Sequence, residues 1–211
     1  GIGAFYDATS LSSITFGVDS LLNNIGQSAF QNTALTIIAI PDGVLSIGSS
    51  AFRNASNLSS ITFGAGSQLA SIGVSVFRDT ALTAIAIPDE VLSIGSSAFL
   101  NATSLNSITF GAGSLLTTIG TNAFQSTALT AIAIPDEVLS IGVSAFYYAS
   151  SLNSITFGAG SKLNNIGNDA FRYTASTLIV EAYSTLIGTM SWVVGSNTLY
   201  GTTFNVVDIS P

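Results

Sequence analysis

Neither cysteine nor histidine occurs among the 211 residues. Without cysteine the fold has no disulfide to staple it and no thiolate to hold a metal, and the redox compartment is not legible. Without histidine the usual general base, the usual partner of a serine nucleophile and the commonest transition-metal ligand are missing together. Charge is scarce too: 7% of residues are Asp, Glu, Lys or Arg, against roughly 25% in an average soluble domain. Four of these are basic and eleven acidic, for a net charge of -7, so the basic footprint needed for nucleic acid or an anionic membrane surface is absent. Mean hydropathy is +0.60, yet Ser, Thr or Gly interrupts every apolar run before it reaches the ~18 residues of a membrane helix. Neither a nucleic-acid partner nor membrane insertion is expected.

What the chain has in abundance is itself. Leu58 to Gly73 reads LSSITFGAGSQLASIG, Leu105 to Gly120 LNSITFGAGSLLTTIG and Leu152 to Gly167 LNSITFGAGSKLNNIG, a period of 47 residues. Between the copies lies a related phrase, LTAIAIPDEVLSIG, at Leu82 to Gly95 and Leu129 to Gly142, so the unit is one coil of 23 or 24 residues. A fixed period of this length means stacked coils that share one core. Seven complete coils start at Leu11, Leu35, Leu58, Leu82, Leu105, Leu129 and Leu152. Gly1-Ile2-Gly3-Ala4-Phe5 matches the end of the later IGxxAF phrases, so the chain opens inside a coil rather than on a signal peptide, as a processed or trimmed product would.

Each coil begins LxxIxF or LxxIxI, a period-2 alternation that predicts a short strand with one buried face, and stacked copies predict a parallel sheet. The turn after it alternates between Gly-Ala-Gly-Ser and Pro-Asp, so two coil types take turns along the array. An Ile-Gly pair follows, then Ala-Phe, whose rings should stack as a column from Phe5 to Phe171. Three residues past each Phe the chain alternates Ala and Thr, from Ala8 to Thr174, a parity expected to reflect packing between neighbouring coils. The phrase decays after Phe171: Leu178 to Ala182 can add a strand, Ile187-Gly188 looks like a remnant of the Ile-Gly step, and Asn205 to Ile209 can form a last strand. Residues 1–174 are therefore read as the solenoid and 175–211, with Trp192, as a C-terminal cap.

These phrases resemble the BspA-like leucine-rich repeat family, whose coils read approximately LxxIxIPxxVxxIGxxAFxxC; LTIIAIPDGVLSIGSSAF at 35 to 52 fits almost residue for residue. The chain departs at the family's frequent Cys, which is Thr or Ala here, and in the coils where GAGSxL replaces PxxV. The resemblance implies an α/β-type solenoid: a leucine-rich repeat array with a parallel β-sheet on one face and short turns, 3-10 or helical segments on the other. It also implies an extracellular or cell-surface setting and a role in adhesion or the binding of host or matrix proteins.

Catalysis finds little to work with. The adjacent acidic pairs Asp89-Glu90 and Asp136-Glu137, two coils apart, are the one candidate for calcium, against the plainer reading that Asp after Pro caps a turn. Asp42-Gly43 breaks that acidic row and supports the turn. No catalytic residue and no cofactor is expected. Gly-Ala-Gly-Ser lacks the Lys of a phosphate loop and recurs as a turn. The outward side of the sheet, from Ser13 and Thr15 to Ser154 and Thr156, is a row of small uncharged side chains with none of the Trp, Tyr or Arg of binding hot spots. Its regular Thr admits a water-ordering, ice-binding role as a minor alternative. Aromatic and basic residues gather instead just after the Phe column: Tyr6, Arg53, Arg78, Tyr147, Tyr148, Arg172 and Tyr173. These are the candidate contacts to a protein or glycan partner. The principal reading is a non-enzymatic surface binding module; the alternative is a structural protein that self-associates by stacking coils end to end.

Overall fold

The structure, a computed structural model, describes residues 1–17, 19–190, 195–199 and 202–210. Its main-face strands are four residues long: β2 (Ile37–Ile40), β4 (Ser60–Phe63), β6 (Ala84–Ile87), β8 (Ser107–Phe110), β10 (Ala131–Ile134), β12 (Ser154–Phe157) and β14 (Ile179–Ala182). Alternation does what it should: in β2 the side chains of Ile38 and Ile40 are buried and those of Ile37 and Ala39 exposed. Two-residue strands end at the Ile of each Ile-Gly step: β1 (Asn24–Ile25), β3 (Ser46–Ile47), β5 (Ser71–Ile72), β7 (Ser93–Ile94), β9 (Thr118–Ile119), β11 (Ser140–Ile141) and β13 (Asn165–Ile166). They form a seven-stranded parallel sheet of their own, in the order β1-β3-β5-β7-β9-β11-β13.

This second sheet was not expected. Two residues carry no readable alternation, and what makes them a strand is the next coil: Ile47 registers against Ile25 on one side and Ile72 on the other. The glycine after each Ile permits that approach. A Cβ on Gly142 would lie 2.5 Å from the Thr121 backbone nitrogen, and one on Gly167 2.3 Å from that of Val143, closer than real atoms come.

The main sheet also departs from expectation. It is not continuous: β2 pairs with β4, β6 with β8, and β10 leads a five-stranded sheet through β12 and β14, so the ladder is interrupted between β4 and β6 and between β8 and β10. Residues 11 to 16 of the first coil form no strand. One backbone bond, from Thr36 N–H to the Ser12 carbonyl at 3.2 Å, ties that segment to the next coil, though Leu11, Ile14 and Phe16 still pack on the core.

The third face is built of turns rather than 3-10 or helical segments. The N–H groups of Ser50, Phe52 and Asn54 donate to the carbonyls of Val74, Val76 and Arg78 in the next coil at 2.9, 3.0 and 2.9 Å, while those of Ala51 and Arg53 turn back to Gly48 and Ser50. Ser50 and Asn54 have φ of 59° and 58°, and every later coil has such a left-handed pair. The alternation aims every second N–H along the solenoid axis to the next coil and turns the N–H groups between them back along their own turn. Inside this face the phenylalanines stack: seven successive ring pairs from Phe5 to Phe171 have centroids 5.2–5.6 Å apart. Phe52, Phe77, Phe99, Phe124 and Phe146 are fully buried.

The Thr/Ala parity has a local cause rather than the expected inter-coil one. Thr33, Thr80, Thr127 and Thr174 each donate Oγ1 to the carbonyl of the Phe three residues back, at 2.8–2.9 Å. The coils of Thr33, Thr80 and Thr127 reach the next Leu in two residues, and the Ala coils in three, so the hydroxyl closes the shorter corner. Coils interlock in pairs elsewhere: the carboxylates of Asp42, Asp89 and Asp136 fill the space that a Cβ on Gly64, Gly111 and Gly158 would need. Each Pro-Asp turn thus packs on the Gly-Ala-Gly turn of the coil with which its strand also pairs.

At the C-terminal end β14 extends the sheet. A short helix, α1 (Ser184–Thr189), takes in Ile187 and Gly188 instead of an Ile-Gly strand step, and β15 (Gly195–Leu199) with β16 (Thr202–Asp208) follows. β16 lies parallel to β14 and β15 antiparallel to β16. Trp192, assigned to this cap, lies outside the described residues.

Candidate partner-binding patch

Two outward rows run along the turn face, set by the Phe column. The residue directly after each Phe is Tyr6, Gln31, Arg53, Arg78, Leu100, Gln125, Tyr147 and Arg172 in order; the next, left-handed in every coil, is Asp7, Asn32, Asn54, Asp79, Asn101, Ser126, Tyr148 and Tyr173. Asn and Asp tolerate φ above zero because their short polar side chains bond locally. Here they also bond to each other: Asn32 Nδ2 donates to Asp7, Asn54 Nδ2 to Asn32 Oδ1 at 2.9 Å and Asn101 Nδ2 to Asp79 Oδ1 at 3.0 Å.

The last two coils break this rule. Tyr148 and Tyr173 stand at φ 57° and 61°, a conformation that costs an ordinary L-residue roughly 1–2 kcal/mol. They are 51% and 46% exposed, so burial of the rings does not offset that cost. Their rings stack at 4.6 Å, and Tyr147 meets both edge-on at 4.7 and 5.4 Å. The Arg172 guanidinium lies over the Tyr173 ring at 4.9 Å and reaches Asp169 at 3.5 Å. Burial, with the Tyr148 and Tyr173 phenols beside it, pushes the Tyr147 phenol above its ordinary value. Tyr173, in contact with Arg172, raises that guanidinium further.

Four of the seven candidate residues are thus one cluster: Tyr147, Tyr148, Arg172 and Tyr173. Arg53 and Arg78 occupy adjacent coils on the same row, away from it; Arg78 pairs with Asp79 at 3.1 Å, and the Arg53 Nε is buried without a hydrogen-bond partner. Tyr6, 50% exposed, sits in the first coil. Of the candidate calcium ligands, Asp89 and Asp136 pack on glycine turns, and Glu137 is held by Lys162 at 2.6 Å. Among the described residues no three Asp or Glu side chains converge.

Sequence reasoning missed a second feature. Half-buried Phe63 and Phe110, with Leu45 and Leu92 each 48% exposed, line an apolar groove of about 1040 Å³ around Pro88 and Asp89. Its signal in the sequence was the alternation of Phe and Ile at the strand end.

The coil phrases and their stacking decide the family. A model of the BspA type leucine rich repeat region matches in six copies over residues 1–85 and 70–191. The chain belongs to the BspA-type leucine-rich repeat family. This BspA-type solenoid is similar to a leucine rich cell surface protein of Faecalibacterium prausnitzii A2-165, with a TM-score of 0.51 and 24% identity over 80% of this chain and 61% of that one. A leucine-rich repeat protein of Bacteroides ovatus ATCC 8483 gives 0.41 and 18% over 99% and 81%, and the pneumococcal vaccine antigen PcpA 0.37 and 17% over 96% and 75%. The likeness is one of fold. No curated protein matches this sequence.

Proposed function

We infer that this chain is a non-enzymatic binding module of a surface-exposed or secreted bacterial protein, and that it holds a protein or glycan partner through the Tyr147, Tyr148, Arg172 and Tyr173 patch. The observation that carries this reading is the pair of tyrosines at left-handed positions where every other coil has Asp, Asn or Ser. Strained, exposed aromatics beside an arginine have the composition of a binding hot spot and no packing purpose that accounts for them. The surface setting is supported by the description of the Faecalibacterium protein. Among the described residues no helix is long and apolar enough to cross a membrane.

The test is to replace Tyr148 and Tyr173 together by Asn, the residue of the Asn32, Asn54 and Asn101 coils. Binding measured on a glycan array and on immobilised matrix proteins should be lost while the fold becomes slightly more stable. Undiminished binding by the double variant would move the site elsewhere. A binding module is favoured over a filament because β15 runs antiparallel beyond β16, which ends the parallel ladder on the main face. Light scattering should accordingly give one molar mass over a wide concentration range.

A further inference from the structure

The alternating turn types carve a row of grooves. From strand end to Ile-Gly step the Pro-Asp coils take seven residues, as from Ile40 to Ile47, and the Gly-Ala-Gly-Ser coils nine, as from Phe63 to Ile72. The longer turns stand out and the shorter ones are recessed. One groove lies over each Pro-Asp turn, around Pro41, Pro88 and Pro135, with volumes of about 650, 1040 and 570 Å³.

The floor is aromatic because the sheet is interrupted there. Where the ladder runs on from β12 to β14, Phe157 is fully buried. Where it stops after β4 and β8, the equivalent Phe63 and Phe110 stay half-exposed and face the groove. The rim is acidic: each lining contains Asp, two also contain Glu, and none contains Lys or Arg. Glu90 is exposed and makes no hydrogen bond or ion pair among the described residues.

We propose that this row of grooves is a track for a polypeptide in the polyproline II conformation, proline-rich and carrying a basic residue at every third position. Adjacent grooves are two coils apart, about 10 Å at ordinary strand spacing. A polyproline II chain repeats every three residues at about 3.1 Å each, so like side chains recur every 9 Å or so along one edge. An extended β-peptide repeats like side chains about every 7 Å and falls out of step with the grooves. Phenylalanine and proline surfaces take the pyrrolidine rings, as aromatic-lined grooves do in other proline-rich recognition. The exposed carboxylates of Asp42, Asp89 and Asp136, one at each Pro-Asp turn, take the cations together with Glu90, while Glu137 stays paired with Lys162, and every third residue brings a cation to each turn. This surface is separate from the tyrosine patch.

Fluorescence anisotropy with a labelled peptide of four Pro-Pro-Lys triplets tests it. That peptide should bind with a micromolar Kd, one of four Pro-Pro-Glu triplets should not bind, and one of three Pro-Pro-Pro-Lys quartets, equal in length, should bind about tenfold more weakly. Glu90→Lys, an exposed change that leaves the core intact, should weaken the first peptide about tenfold, and Leu92→Glu should abolish binding. The Tyr148→Asn, Tyr173→Asn double variant should bind the peptide as before, which keeps this result independent of the tyrosine patch. Equal affinity for triplets and quartets would reduce the interaction to general charge attraction and overturn the proposal. So would failure to bind the triplet peptide, or binding that survives Leu92→Glu.

Discussion

The two main faces of this solenoid keep different time. The turn face repeats every coil: one Phe and two left-handed residues, with three backbone bonds at each junction between successive turns from Gly3 to Arg172. The strand face repeats every second coil, with its ladder interrupted after β4 and β8 and its grooves set at Pro88 and Pro135. The difference teaches where each kind of constraint lives. Backbone groups need partners in every layer, so the face that holds the stack must be uniform. Solvent-facing turns have no such need, and there the chain alternates freely, which makes relief on an otherwise flat surface.

Deleting coils is the strongest way to break that contrast. Removing residues 58–104, a whole pair, leaves a Pro-Asp turn facing a Gly-Ala-Gly turn. Removing 58–81 sets two Pro-Asp turns against each other, with Asp42 deprived of the glycine space it fills. The shorter deletion should therefore melt clearly lower by calorimetry than the longer one, and equal midpoints would show that pairs are not the unit. Next in size, Phe99→Ala removes a fully buried ring from the uniform column and should cost about 3–5 kcal/mol in urea unfolding, whereas Phe110→Ala, half-exposed in a groove, should cost about half of that or less. Comparable losses would erase the distinction between the faces.

Gly142→Ala forces a methyl against the neighbouring coil's backbone and should cost about 1–3 kcal/mol. Thr80→Val keeps the shape and removes the hydroxyl bond to the Phe77 carbonyl, for a loss of about 1 kcal/mol. No loss there would return the Thr/Ala parity to inter-coil packing. The smallest effect has the opposite sign: Tyr148→Asn with Tyr173→Asn should raise the unfolding free energy by about 1 kcal/mol as the left-handed cost is relieved. A drop instead would mean that the tyrosine stack serves the fold.

Much of this was legible in the residues. LxxIxI gave β2, β6 and β10 through its alternation, and the Ala-Phe phrase gave the stacked column. The seven-stranded second sheet was hidden because a two-residue strand has no internal pattern and exists only by its register with other coils. Of the outward aromatic and basic residues, spacing placed all seven on one row system. That Tyr147, Tyr148, Arg172 and Tyr173 form one cluster, with two rings at left-handed positions, required the backbone.

By itself the sequence determined the coil, its length, its buried columns and the alternation of two types, since periodic hydrophobicity and turn residues act locally and are written once per coil. Only the tertiary structure decided where the sheet is interrupted, which phenylalanines look outward, and which tyrosines meet. Those outcomes depend on contacts between residues 22 to 25 positions apart, whose geometry is fixed when one coil settles on the next.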